Sequence, residues 1–98
     1  MAEHVCVIDW HAAPFRAERF FAAWEPAAAR AAAFGATSWS LTRSEDDPLL
    51  FRQTSTWKDK ADFERYWFSD EVSAAREAAL QLFQKPVLPS WHQLVAAD

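Results

Sequence analysis

The chain has 98 residues, enough for one domain and no more. Its hydrophobic share of 51% and aromatic share of 15% argue against disorder. A net charge of -4 and a pI near 5.3, with the ten Lys and Arg scattered, disfavour nucleic acid and anionic membrane as partners, because both need a basic surface.

Six tryptophans in so short a chain cannot all be fully buried, so some are expected to line a pocket or a subunit interface. The lone cysteine, Cys6, excludes an internal disulfide and sits in an apolar strand, where a buried inert thiol is expected. No basic segment followed by a long apolar run opens the sequence, and no window approaches the roughly 20 apolar residues of a membrane span. A soluble, cytoplasmic protein is expected.

In chain order, His4 to Trp10 reads as a strand with a continuously apolar middle, as in a central strand covered on both faces. Asp9 and His11 share one face near its end. They could form an acid–histidine pair or a solvated strand end, and the second is the commoner outcome. Pro14 suits the first turn of a helix whose stripe is Phe20, Trp24, Ala28 and Ala31. Pro26 interrupts it and predicts a kink or restart. The run Ala27 to Ala33 has high helix propensity, and Gly35, the only glycine, ends the helix in a left-handed conformation.

Thr37 to Arg43 alternates as a half-buried strand, Ser44 to Pro48 is a polar turn, and Leu49 to Trp57 completes a hairpin. Both faces of that second strand mix polar and apolar residues, so its polar groups could pack at an interface or face a cavity. Asp59 is an N-cap for a short helix carrying Phe63, Tyr66 and Trp67, and Ser69 caps the next. That helix shows Val72, Ala75, Ala79, Leu82 and Phe83 on one stripe and is expected to run to Pro86. Trp91 to Val95 is the last strand, placed at a sheet edge by Pro89.

The order is strand, helix, strand, strand, helix pair, strand. It predicts a ferredoxin-like α+β fold, βαββααβ, with a four-stranded antiparallel sheet and helices on one face. The first and third strands are then central. If the bare face carries Trp39 or Trp57, a second subunit must cover it.

This arrangement resembles the dimeric α+β barrel superfamily, specifically the antibiotic-biosynthesis-monooxygenase-like domains. The likeness covers nearly the whole chain in element order. It is sharpest from Leu49 to Arg76, where a strand ends in Trp57-Lys-Asp and leads to Phe63-Glu-Arg-Tyr66 and then Ser69-Asp70. The resemblance implies a homodimer, with a pocket in each subunit between sheet and helices. It also implies two functional classes. One is an oxygenase acting on an aromatic or polyketide-like metabolite without metal, flavin or other cofactor. The other is a non-catalytic dimeric domain that binds a small ligand or has a structural role.

The haem-degrading branch of that superfamily places a tryptophan three residues after the helix phenylalanine. Its haem-ligating histidine stands six residues after the Ser-Asp aspartate. Those positions here are Tyr66 and Arg76. Arginine stays protonated and does not ligate iron, so haem degradation is not expected unless His92 ligates from the other side. The three dispersed histidines predict no metal site.

For the oxygenase reading, the substrate must lose a proton before its carbanion passes an electron to oxygen. His92 or His11 could accept that proton, and Tyr66 or Arg52 could donate to the oxyanion. Trp39, Trp57, Tyr66 and Trp67 are the candidate pocket walls. Each has a plainer role open to it. Helix aromatics commonly fill the core, histidines commonly sit exposed or satisfied, and Arg52 could pair with an acidic residue across a dimer.

Overall fold

In the computed structural model, which describes residues 3–98, two strands form the middle of the sheet. They are β1 (His4–His11) and β3 (Leu50–Trp57), flanked by β2 (Ser38–Arg43) and β4 (Ser90–Gln93) in the order β2-β3-β1-β4, with every pairing antiparallel. The apolar first strand is therefore central and the proline-flanked last strand is an edge, as the sequence predicts. Helices α1 (Ala17–Ala29), α2 (Lys60–Trp67) and α3 (Asp70–Ala78) pack on one face.

Alternation decides what each face carries. On the helix side, Cys6, Ile8 and Trp10 of β1 stand beside Phe51, Gln53, Ser55 and Trp57 of β3, and all are buried. The bare side carries Val5, Val7, Asp9 and His11 beside Leu50, Arg52, Thr54 and Thr56. The register pairs Trp39 with Ser55, so Trp39 also belongs to the helix side, at the edge and 37% exposed. Neither Trp39 nor Trp57 lies on the bare face, so neither calls for a subunit to cover it. Its apolar content there is Val5, Val7 and Leu50.

The stripe of α1 docks as its spacing predicts: Phe20, Trp24, Ala28 and Ala31 are all fully buried. Two features of this region depart from expectation. Pro14 lies in a turn before the helix, and α1 begins at Ala17 after Phe15, whose φ is 66°. The helix also runs through Pro26 without restarting, then tightens into a 3₁₀ turn, Arg30–Phe34. Proline removes only one helical donor, and burial of Trp24, Ala27 and Ala28 on both sides of it holds the helix to the sheet. Gly35 ends the segment at φ 114°. A Cβ there would sit 3.1 Å from Asp62 Oδ2.

Both predicted caps form. Asp59 accepts from the Ala61 N–H at 2.9 Å, and Ser69 Oγ accepts from the Val72 N–H at 3.2 Å. The last helix, however, stops at Ala78, well before Pro86. The following backbone groups turn back to the end of β1 instead. The Ala13 N–H donates to the Leu82 carbonyl, and the Gln84 N–H donates to the His11 carbonyl. Leu82 and Phe83 thereby reach the core from a turn and not from a helix. The final strand likewise closes at Gln93, leaving Val95 exposed.

Candidate functional site

Buried aromatic side chains pack between sheet and helices. Trp10 packs against Trp24 (ring centroids 4.5 Å apart), Phe83 (5.0 Å), Phe20 (5.6 Å) and Trp67 (6.1 Å). At the centre of this cluster stands one polar side chain, Gln53. Its Oε1 accepts from the indole N–H groups of Trp10 at 3.1 Å and Trp24 at 2.9 Å. Its Nε2 donates to Tyr66 Oη at 3.1 Å, and the Tyr66 hydroxyl donates to the Ala27 carbonyl at 2.8 Å. Trp57 Nε1 donates to Ser55 Oγ at 2.8 Å. No buried side-chain polar atom among the described residues lacks a partner. The polar residues on the inner face of β3 are thus consumed by tryptophan donors and by the Tyr66 hydroxyl, which accepts from Gln53, as buried polar groups require.

This packing places the sequence candidates apart. Tyr66 is fully buried, and burial pushes its phenol up to about 12, with the Gln53 hydrogen bond opposing the shift. At neutral pH it is a neutral hydrogen-bonding group. Trp57 is also fully buried. His11 and His92 lie on the opposite sheet face, exposed, with His92 Nε2 3.2 Å from Ser90 Oγ. Arg52 is on that face too, where it grips Asp9 through Nε–Oδ1 at 2.8 Å and Nη2–Oδ2 at 3.2 Å. That hydrogen bond, more than simple charge, holds the Asp9 carboxyl below its ordinary value. Asp9 is therefore the partner of Arg52 within the same chain, and the Asp9–His11 pair is not the dominant contact. Cys6 is fully buried, which pushes its thiol up to about 12 and leaves it protonated at neutral pH.

Trp67 differs from the other three candidate pocket aromatics in bordering a cleft. Trp67, the last residue of α2, forms a wall of a cleft of about 520 Å³ between α2, α3 and the segment 80–87. Leu80, Phe83, Pro86 and Val87 supply the remaining apolar surface, and Arg76, Glu77 and Lys85 supply charge. Arg76 is fixed there by three contacts. Nη1 donates to the Trp67 carbonyl at 2.6 Å, Nη2 approaches Ser73 Oγ at 3.3 Å, and the guanidinium lies 4.1 Å from the centroid of the Trp67 ring. The carbonyl belongs to the last turn of α2, where unpaired C=O groups favour a cation. The sequence pointed to Arg76 only as a residue unable to bind iron. Its role in the cleft depends on α3 folding back beside the end of α2, which no local pattern encodes. Among the described residues no group of three His, Cys, Asp or Glu could hold a metal ion, and no helix is long and apolar enough to cross a membrane.

No protein-family model matches the chain, and no curated protein matches it. Solved structures do. A putative antibiotic biosynthesis monooxygenase from Caulobacter crescentus CB15 superposes with a TM-score of 0.84 at 18% identity, covering 97% of this chain and 92% of that one. A second protein so named, from Nitrosomonas europaea, gives 0.83 at 14% identity over 92% and 88%. NE2512, a protein of unknown function from the same organism, gives 0.76 at 22% identity over 100% and 94%. The chain therefore has the ferredoxin-like fold of the antibiotic-biosynthesis-monooxygenase-like proteins. At these identities the likeness establishes the fold.

Proposed function

We propose that the protein is a small-molecule-binding domain whose ligand enters the cleft beside Trp67. The observation that carries this reading is the contrast between the closely packed aromatic interior and an apolar cleft with a few polar groups at its wall, the usual make-up of a ligand site. Its ionisable groups, Arg76, Glu77 and Lys85, include no histidine. Such a lining is suited to holding a molecule. We place the working unit as a homodimer joined through the bare sheet face, supported by Val5, Val7 and Leu50 there and by the fold. Light scattering at micromolar concentration should give twice the chain mass, and a stable monomer would count against it.

The cleft itself is tested by filling it. Leu80→Trp adds a large side chain at a wall position that is already partly exposed. It should weaken binding of aromatic small molecules, followed by calorimetry, by tenfold or more while leaving the melting temperature nearly unchanged. Unaltered binding in that variant would place the ligand elsewhere.

A second reading, cofactor-independent oxygenation of an aromatic or polyketide-like substrate, is favoured by the fold shared with proteins named as monooxygenases. It assigns proton acceptance to His92 or His11 and oxyanion stabilisation to Tyr66 or Arg52. Because Tyr66 is buried on the helix side and the other three are exposed on the bare side, only Arg52 with His11 or His92 could meet one substrate. Oxygen uptake with anthrones and quinols, compared between wild type, His92→Ala and Tyr66→Phe, tests it. Uptake at the buffer rate throughout the panel argues for the binding role.

A further inference from the structure

The cleft has a chemical bias that its apolar lining conceals. Its charged residues are two cations, Arg76 and Lys85, and one anion, Glu77, so the lining is net positive in a chain whose net charge is -4. Arg76 is the best placed of them. Among the described residues it has no carboxylate partner, whereas Arg30, Arg43, Arg52 and Arg65 each pair with one. Two of its five N–H donors are directed at Trp67 and Ser73, leaving the rest of the planar fork free. Burial pulls its pKa below the ordinary arginine value. A guanidinium remains charged even so, and poorly hydrated charge gains more from an arriving anion than a fully solvated one does.

We propose that the cleft selects aromatic carboxylates, with the carboxylate on the Arg76 fork and the ring against Leu80, Phe83 and Val87. The contact with Trp67 holds the guanidinium plane in place, so the fork is oriented before the ligand arrives. A carboxylate fits such a fork through two parallel hydrogen bonds, which neutral isosteres do not reproduce. Lys85 adds charge at the rim, and Glu77 opposes it.

This inference rests on the cleft being the ligand site, and the test separates the two. Naphthoate and naphthamide of matched substitution share ring and shape and differ in charge. Calorimetric titration of the wild-type protein should give naphthoate at least a tenfold lower Kd, the scale expected for one charge-assisted pair. Arg76→Gln should erase that preference by weakening naphthoate while leaving naphthamide nearly unchanged. Arg76→Lys should restore only part of it, because lysine keeps the charge and loses the fork. Equal affinities in the wild type would overturn the carboxylate assignment and leave the cleft standing as a site for neutral aromatics. A preference that survives Arg76→Gln would overturn it by placing the anion elsewhere. Failure of both compounds to bind would bring down the assignment together with the cleft reading.

Discussion

Trp24 and Trp67 both touch Trp10, yet they belong to different environments. Around Trp24 every polar atom is matched. The indole, the Gln53 amide, the Tyr66 hydroxyl and the Ala27 carbonyl form one chain of hydrogen bonds inside a buried aromatic cluster. Around Trp67 the matching is incomplete by design of the backbone. The ring meets a cleft, and the arginine above it retains unused donors. The same residue type thus builds a rigid floor in one place and a receptive wall a few ångströms away. A satisfied polar group specifies the fold, and an unsatisfied one at a cavity offers a handle to a ligand.

The sharpest way to break the closed region is to remove its centre. Gln53→Leu keeps bulk but strands two indole N–H groups and takes one donor from Tyr66. Urea denaturation should show a loss of about 3–5 kcal/mol, since each stranded buried group costs about 1–3 kcal/mol. A loss below about 1 kcal/mol would mean the network is dispensable. The substitution should leave the free energy of ligand binding in any molecules that remain folded far less affected, because Gln53 does not line the cleft.

At the other end of the scale stands the Arg52–Asp9 pair, exposed in the single chain on the face proposed to join two subunits and worth little to the stability of the chain itself. Its signature is in titration. The Asp9 carboxyl is held below its ordinary value when folded, so the stabilisation is present above the unfolded-state pKa and lost as pH falls through the depressed folded value. In Arg52→Ala the Asp9 carboxyl, followed by carbon-detected NMR, should rise toward 3.8. The small difference in stability between the two proteins should vanish in acid below that range. An Asp9 value unmoved by the substitution would show that another group depresses it.

The fold was legible because its signals are local. The unbroken apolar run in β1, Pro89 beside β4, Gly35 after the alanine-rich run and the caps Asp59 and Ser69 each constrain the backbone within a few residues. The site was not, because its contacts join distant parts of the chain. Mixed polarity on β3 is compatible with a cavity in the sequence alone, yet Gln53 is joined to tryptophans 43 and 29 residues away. Histidines drew notice for their chemistry, yet alternation turns His11 and His92 away from the helices. The cleft exists because α3 ends at Ala78 and the chain turns back to β1, a choice set by tertiary hydrogen bonds that compete with a helical pattern extending to Phe83.

Amide NMR during titration with naphthoate addresses the central claim most directly. The account predicts that the largest shift changes fall on Trp67, Ser73, Arg76, Leu80 and Val87, with the Trp67 indole N–H among them. Those of Val5, Asp9, His11, Arg52 and His92 should stay nearly fixed. Saturable changes concentrated on the bare sheet face, with the Trp67 and Arg76 signals unmoved, would contradict it.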